Sequence, residues 1–285
     1  MTSITGLNTS TTNAVEIAKI WSPLVVEFLQ ANLVLAKLVT DRSMDVATKG
    51  DTLYFPKTAT RTTTAYTEGM RLTDALSANT DTNVTLTIDQ ARIIPALIPW
   101  TLEAKSKYDQ KALRLRESTY GIAKFIDSYI AALASGFTYQ ISTSSVTIAN
   151  LLQAYEYLNM ANVPQDERAW VFSPTVLSDL IALPSGFFIQ TLSSDEKSLM
   201  TGKVGTILGS PVYLSTNVTA TTSGSPATTK YTNMYFHKSS IALAMLKRPE
   251  IESEYFIDAQ GEIINVRTLF GAVILDAIRG VAITR

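Results

Sequence analysis

The sequence has 285 residues, 46% of them hydrophobic, and its 24 lysines and arginines nearly balance 25 aspartates and glutamates. A chain of this length buries a substantial core and is long enough for about two domains, while its balanced charge argues against sequence-specific DNA binding, which needs a clustered basic face. The absence of cysteine excludes disulfides, thiolate metal sites and cysteine nucleophiles.

The N-terminal region predicts two helices. Asn13 and Glu16 have the spacing of a capping box, and Ser22 precedes Pro23 as an N-cap precedes a proline at the first helical position. The second helix, expected to reach about Val39, is apolar around most of its circumference and needs cover on more than one side. The start "MTSITGLNTSTTN" is unlike a signal peptide, and no apolar run approaches the ~18 residues of a membrane span. We therefore expect a soluble protein.

From Gly50 the pattern becomes that of extended chain. The segments "DTLYFPK" and "NVTLTID" alternate apolar and polar residues, as half-buried strands do. The segment "ARIIPALIPW" continues extended, and Pro95 and Pro99 confine it to a sheet edge or a bulge. The stretch between the two arms is rich in threonine, alanine and charge, and its larger apolar side chains are Tyr66, Met70, Leu72 and Leu76.

The two arms and this stretch form a hairpin that is too long to be stable alone. About 50 residues reach up to ~80 Å when extended, whereas a compact chain of this length has a radius of gyration of ~19 Å. The hairpin has few large side chains to bury against itself, and a lone two-stranded ribbon is at best marginally stable. It is therefore disordered, folded back, or docked on another molecule. Its length and polarity favour docking on a neighbouring copy of the chain.

A long helix of roughly 40 Å is predicted over about 108–135, with Gly136 placed to end it. Its buried side is marked by Leu115, Ile122, Ile126, Ile130 and Leu133. A second amphipathic helix follows, with Ile148, Leu151, Leu152, Tyr155 and Leu158 on one face. The short strand "RAWVF" and a helix beginning at Ser173 and Pro174 come next.

The glycine-rich stretch "GKVGTILGSPVYLSTNV" has two interpretations, a phosphate cradle or a turn. Its spacing, with glycines at 202, 205 and 209, matches neither GxGxxG nor GxxxxGK[ST], and a strand pattern follows where both motifs open a helix. A turn or hairpin is favoured. The strands "MYFHKSSIALAML", "IESEYFID", "IINVRTLF" and "AVILDAIRGVAI" then complete a mixture typical of the α+β class.

Candidate catalytic residues are few. His237 is the only histidine, and no nucleophile elbow GxSxG accompanies it, so a structural histidine is favoured over a Ser-His-Asp triad or a zinc site. The carboxylate pairs Asp166 with Glu167 and Asp195 with Glu196 lie in polar surroundings, as solvated loop residues do. The sequence therefore predicts no catalytic, metal or cofactor site, and no enzyme. A hydrolase that uses His237 is kept as a remote alternative.

One stripe of the long helix is basic. Lys107, Lys111 and Arg114 share it. A solvated helix face explains this stripe, and a face near bound or enclosed nucleic acid is the alternative.

The order of these elements resembles that of the major capsid proteins of tailed bacteriophages, which have the Hong Kong 97-type fold. The resemblance covers nearly the whole chain. The segments that look like the family's successive elements are "IWSPLVVEFLQANLVLAKLV", "GDTLYFP", the 108–135 helix, "RAWVFSPTVLSDLIAL", "GKVGTILGSPVYLSTNV", "HKSSIALAML" and "LFGAVILDAIRGVAITR". It implies an N-terminal arm and helix over 1–49, an extended loop over 50–104, a peripheral domain over 105–145 and 250–285, and an axial domain over 146–249.

The resemblance implies a structural protein of the virion. Its pentamers and hexamers would form an icosahedral head shell around double-stranded DNA, without sequence specificity and without a membrane. A separate scaffolding protein, a portal and decoration proteins are implied partners, and assembly is implied in the host cytoplasm. Some family members cross-link a loop lysine to a neighbour's asparagine; Lys57 and Asn265 are present here, but nothing local identifies them as that pair.

We therefore predict residues of the arm and the extended loop as contacts between subunits: Ile4, Leu7, Lys57, Arg61, Tyr66, Glu68, Met70, Arg71 and Asp74. An encapsulin-type compartment shares the fold and is the alternative function, although its N-terminal cargo-docking region is not apparent.

Overall fold

The computed structural model describes residues 34–46, 51–58, 63–71, 73, 81–106, 109–184, 188–190, 203–223 and 228–285. These residues form three β-sheets and the helices that cover them, which confirms the predicted α+β mixture. The helices are α1 Leu35–Leu38, α2 Trp100–Lys105, α3 Gln110–Ala132, α4 Ile148–Met160 and α5 Leu177–Ile181.

The first sheet contains β1 Thr40–Asp41, β4 Gln90–Pro99, β12 Ile241–Phe256 and β13 Gly261–Ile274, in the order β1–β12–β13–β4. β4 is therefore an edge strand, as Pro95 and Pro99 predicted, because proline cannot donate a hydrogen bond to a central ladder. β12 and β13 form a long antiparallel hairpin whose pairing is irregular between Met245 and Glu250.

The second sheet contains β5 Tyr139–Ser142, β6 Arg168–Phe172, β7 Phe188–Gln190, β8 Lys203–Ile207, β9 Ser210–Leu214, β10 Ala220–Ser223, β11 Thr228–His237 and β14 Gly280–Thr284. Its order is β5–β14–β11–β6–β9–β8–β7, and β10 pairs with β11. The predicted peripheral domain includes β14, but β14 lies in this sheet, between β5 and β11. The domain boundaries given above stay a prediction.

The third sheet is the hairpin of β2 Thr52–Lys57 and β3 Thr82–Thr87, whose register runs from Thr52 opposite Thr87 to Lys57 opposite Thr82. Both arms were predicted from their alternating pattern and both are confirmed.

Helix α3 begins at a side-chain cap. Asp109 accepts hydrogen bonds from the backbone N–H groups of Lys111 (3.0 Å) and Ala112 (3.1 Å), which have no partner within the helix. The helix runs for 23 residues, about 35 Å, and closes in a 3₁₀ turn over Leu133–Gly136. The long helix predicted over 108–135 is thus confirmed, apart from its first residues and this closing turn.

The buried stripe of α3 joins the first two sheets. Ile122, Ile126 and Ile130 are each at most 1% exposed. They lie in one apolar cluster with side chains from both sheets: Ile98, Ile264, Val266 and Phe270 from the first, and Val171, Met234, Phe236 and Ala282 from the second. A single helix therefore closes the core of both sheets.

Helices α4 and α5 cover the opposite face of the second sheet. Leu151 and Leu158 of α4 pack in a cluster with Trp170 and Tyr235, whose rings stack at 3.7 Å between centroids. Leu152, which was predicted on the buried face, is 45% exposed, and this expectation was wrong. One residue turns a helix by about 100°, so Leu152 lies on the flank of the stripe begun by Leu151.

The glycine-rich stretch is a turn between antiparallel strands. Leu208 and Gly209 connect β8 to β9 with φ angles of 50° and 79°. Positive φ at both central residues is the geometry of a tight two-residue hairpin loop, which favours glycine. The predicted turn is confirmed; Gly202 lies outside the described residues.

Three expected elements differ from the structure. "IALAML" and "IESEYFID" belong to the single strand β12 rather than to two strands. "AVILDAIRGVAI" is divided between β13 and β14 by a 3₁₀ turn over Ala277–Arg279. In the helix expected from Pro23 to Val39, only Leu35–Leu38 is helical among the described residues, and Val39 is extended. Residues 13–33 lie outside the described residues.

The base of the extended loop packs on the first sheet. Leu86 and Ile88 are buried in a cluster with Ala242 and Ala244 of β12. The neighbouring β12 residues alternate with these and face α3, so helix and loop base cover opposite faces of one sheet.

This packing brings two backbones into contact. A Cβ added to Gly271 of β13 would lie 2.1 Å from the carbonyl oxygen of Thr87, at the end of β3. Only glycine allows the loop base to approach so closely.

Asp127 of α3 connects three parts of the chain. Its side chain is 1% exposed, and Oδ2 accepts hydrogen bonds from the backbone N–H of Val34 (3.2 Å) and from the amide of Asn217 (3.5 Å). Val34 precedes α1, and Asn217 follows β9 of the second sheet. Burial raises the pKa of Asp127 to about 6, although the hydrogen bonds from Val34 and Asn217 act in the opposite direction.

Replacing Gly271 by alanine should lower the free energy of unfolding by about 1–3 kcal/mol, because the new methyl group meets backbone that cannot move without shifting the loop base. Gly121→Ala is the matched control, since its Cβ would meet only the Cδ1 atom at the end of the Ile94 side chain (2.7 Å). Denaturant titrations measure both. An equal loss in the two variants would contradict the close approach at Gly271.

Asp127 should make stability depend on pH. Its folded-state pKa of about 6 lies above the ordinary value of 3.8, so its protonation favours the folded state. This contribution is fully present below pH 3.8 and is lost as the pH rises through about 6, a change of roughly 3 kcal/mol. Denaturant titrations between pH 4 and 7 should show it in the wild type and in the exposed-site control Asp258→Asn, but not in Asp127→Asn. An unchanged pH profile in Asp127→Asn would rule out this role.

Candidate assembly interface

The described tip of the extended loop is exposed. Residues 63–69 are all exposed, and the side chain of Tyr66 is 79% exposed. A turn in which the N–H of Met70 donates to the carbonyl of Thr67 (3.0 Å) reverses the chain, with Gly69 at a φ of 90°. No described residue of the same chain therefore covers the tip.

The residues predicted to contact other subunits fall into three groups: those at the loop tip, one at the loop base, and those outside the described residues. Tyr66, Glu68 and Arg71 are exposed at the tip, and Met70 is half-buried there. Lys57 lies at the base. Ile4, Leu7, Arg61 and Asp74 lie outside the described residues, as does Lys107 of the basic stripe.

Lys57 binds the junction between the first two sheets. Its Nζ lies 3.0 Å from Oδ1 of Asp276, and Nε of Arg279 lies 3.0 Å from Oδ2 of the same carboxylate. Burial acts to raise the pKa of Asp276, but the hydrogen bond and charge of Lys57, together with Arg279, hold it below its ordinary value. Lys57 thus holds the arm β2 against the body of its own chain.

The basic stripe of α3 is partly neutralised within the chain. Lys111 forms ion pairs with Glu262 and with Glu103 (3.6 Å), and the hydrogen bond with Glu262 is the main cause of its raised pKa. Arg114 pairs with Glu117 at 2.8 Å. Carboxylates therefore engage the two predicted DNA-proximal residues that the structure describes. Glu262 is distant from Lys111 in sequence, and only the fold brings the two together.

No described residue covers one half of the loop-bearing face of the first sheet, which we call the bare half-face. Ile93 and Leu97 of β4 are 64% and 46% exposed and alternate with residues that face α3. Phe256 of β12 is also exposed on this face, and Oδ1 of Asn265 is buried without a hydrogen-bond partner among the described residues. The alternation in "ARIIPALIPW" was visible in the sequence, but which of its two faces stays uncovered was not.

His237 has a structural geometry. Its Nδ1 accepts a hydrogen bond from the backbone N–H of Ser239 (3.1 Å), and Arg279 donates to the Ser239 hydroxyl (2.7 Å). Burial and the charge of Arg279 lower the pKa of His237. The Ser239 hydroxyl also lies 2.8 Å from Nδ1 of His237. The contact joins residues two apart in the 3₁₀ turn that the imidazole caps, and the hydroxyl oxygen accepts from Arg279, so local capping accounts for the pair.

The described helices include none that is long and apolar enough to cross a membrane. Across the same described residues, no three histidine, cysteine, aspartate or glutamate side chains come together as a metal site would require.

No protein-family model matches the chain, and no curated protein matches it in sequence. Solved structures match it closely in fold. A structure from Mycobacterium phage Che8 aligns with a TM-score of 0.70 and 23% identity, over 88% of this chain and 90% of that one. The capsid of cyanophage P-SCSP1u aligns with a TM-score of 0.68 and 16% identity, over 88% and 87%. The capsid of Ralstonia phage GP4 aligns with a TM-score of 0.66 and 10% identity, over 87% and 86%.

These alignments span nearly the whole of each chain, so the likeness includes both large sheets and the long helix between them. The fold predicted from the order of the sequence elements is confirmed. The chain therefore has the Hong Kong 97-type fold of the phage capsid structures to which it is similar.

Proposed function

We propose that this chain is the major capsid protein of a tailed bacteriophage, a subunit of the virion that assembles into pentamers and hexamers. These would form an icosahedral shell around double-stranded DNA. The observation that carries the proposal is the likeness of fold to phage capsids over 88% of the chain. The exposed loop tip and the bare half of the first sheet support it, because both need cover from another molecule.

The capsid function implies further assignments, which we include in the proposal. The first sheet with α3 corresponds to the peripheral domain, the second sheet to the axial domain, β2 and β3 to the extended loop, and the N-terminal residues to an arm. A scaffolding protein, a portal and decoration proteins are the proposed partners, and the shell assembles in the host cytoplasm. The protein acts by assembly and not by catalysis.

Two alternatives from the sequence are less well supported. The similar structures named above come from phages, and two of them are capsids, which favours a viral head over an encapsulin-type compartment. The hydrolase alternative needs His237 as a base, and its nitrogen is used to cap the turn at Ser239.

The extended loop is proposed to dock on the first sheet of a neighbouring subunit. The tip presents Tyr66 to solvent, and the bare half-face presents Ile93 and Leu97. Lys57 would then set the direction of the loop through Asp276 of its own subunit. Ile4 and Leu7 of the arm are proposed as further anchors on a neighbour.

Wild-type protein should form closed shells that are visible by electron microscopy, and deletion of residues 60–80 should abolish them. The deleted segment contributes little to the described core, so the subunit should keep its melting temperature within a few degrees. Wild-type protein that forms neither pentamers, hexamers nor shells would refute the capsid function. Normal shells from the deletion variant would refute only the role of the loop.

Reversing a loop charge, by Glu68→Lys or Arg71→Glu, should lower shell yield without changing the melting of the subunit. Exposed ion pairs contribute only about 0–1 kcal/mol each and are screened by salt, but the contact repeats in every subunit. Sedimentation at low and high salt measures the yield. Lys230→Glu, an exposed site on the second sheet, is the control. Yields that do not respond to either loop reversal at any salt concentration would make these charges part of a solvated surface.

A further inference from the structure

The exposed face of α3 carries cations that have no ion-pair partner among the described residues. Arg116 and Lys124 are exposed and have no ion-pair partner in the described part of the chain. Tyr120 lies between them and is 51% exposed. The spacing of four residues places the three side chains along one stripe of the helix, spanning about 12 Å. We name Arg116, Tyr120 and Lys124 the outer stripe of α3.

Carboxylates near the outer stripe are engaged or buried. Within α3, Glu117 pairs with Arg114, and Asp127 is 1% exposed. The short helix α1, whose preceding residue is bonded to Asp127, adds the exposed Lys37, which has no ion-pair partner among the described residues. The helix side of the first sheet therefore presents unpaired positive charge.

The opposite face of the same sheet carries three glutamates. Glu250, Glu252 and Glu254 alternate along β12 and so share one face. Glu250 and Glu252 are paired with Arg267, at 3.5 Å and 2.6 Å, whereas Glu254 is exposed and has no ion-pair partner in the described chain. Glu250 also pairs with Lys247 at 3.6 Å, so most of the charge on this face is neutralised locally, unlike that of the outer stripe.

We propose that the outer stripe of α3 binds the phosphate backbone of the enclosed double-stranded DNA, which makes the helix side the inner face of the shell. The inference rests on the proposed capsid function and adds the residues and the face. Arginine and lysine neutralise phosphates, and a tyrosine hydroxyl donates to a phosphate oxygen, so this stripe suits backbone contact without sequence readout. Lys111 and Arg114, which the sequence pointed to, contribute less because their charges are already paired.

The test compares two variants with the same change in charge. Arg116→Glu with Lys124→Glu alters the outer stripe, and Lys230→Glu with Arg248→Glu alters exposed, unpaired cations elsewhere in the described chain. Isolated subunits are titrated with a duplex of about 30 base pairs between 50 and 200 mM salt. Each lost phosphate contact lowers the slope of log K against log salt by about 0.9.

The stripe variant should lower the salt slope by about 2 and weaken binding at 50 mM salt at least roughly tenfold, while the control keeps the wild-type slope. Equal slopes in the two variants, or no duplex binding by the wild type, would overturn the inference. A stripe variant that binds duplex normally but forms no shells would also overturn it, and would make the stripe a contact for another protein. Failure of the wild type to form pentamers, hexamers or shells would instead refute the capsid function, because duplex binding by subunits is measured separately.

Discussion

The apolar stripe of α3 is the contact on which the described fold depends. Ile122, Ile126 and Ile130 are buried in one cluster with strands of both large sheets. These strands come from distant parts of the sequence, and neither sheet can bury this face without the helix. The long helix therefore packs against both sheets through one shared apolar cluster. This packing holds the two sheets together in a chain that has no disulfides.

The first sheet is covered unequally on its two faces. One face is covered by α3. The other is covered near Gly271 by the base of the extended loop, and no described residue covers it near Ile93 and Leu97. The loop base can pack there because Gly271 has no side chain to hold Thr87 away. The loop then leaves the body with its tip uncovered. The described part of the subunit thus exposes both an apolar half-face and a loop tip without a packing partner, and the proposed shell would cover both.

Some charged side chains are paired within the subunit and others are not. At the junction of the two sheets, Asp276 receives Lys57 and Arg279, so these charges are satisfied within the subunit. At the start of α3, Lys111 is satisfied by Glu262 from β13. Farther along the helix, Arg116 and Lys124 have no such partner in the described chain. Lys57, Arg279 and Lys111 thus stabilise the fold of one subunit, whereas Arg116 and Lys124 are available to bind another molecule.

Local rules were enough to predict much of this fold. Alternation predicted β2 and β3, Pro95 and Pro99 predicted an edge strand, and the glycine spacing predicted the turn that contains Leu208 and Gly209. Each of these features depends on residues close in sequence, through side-chain period, a missing N–H or an allowed φ angle. The order of such elements was also sufficient to recognise the fold.

The geometry of the candidate assembly interface could not be predicted in this way, because it depends on contacts between residues that are distant in sequence. Val34 and Asp127 are 93 residues apart in sequence, and Lys57 and Asp276 are 219 apart, yet each pair is joined by a hydrogen bond. No local pattern shows that Asp127 is buried, that Lys111 is already paired, or that Leu152 is exposed. Burial and ion pairing depend on which elements meet in space, and that meeting is determined by how all the apolar surfaces pack together.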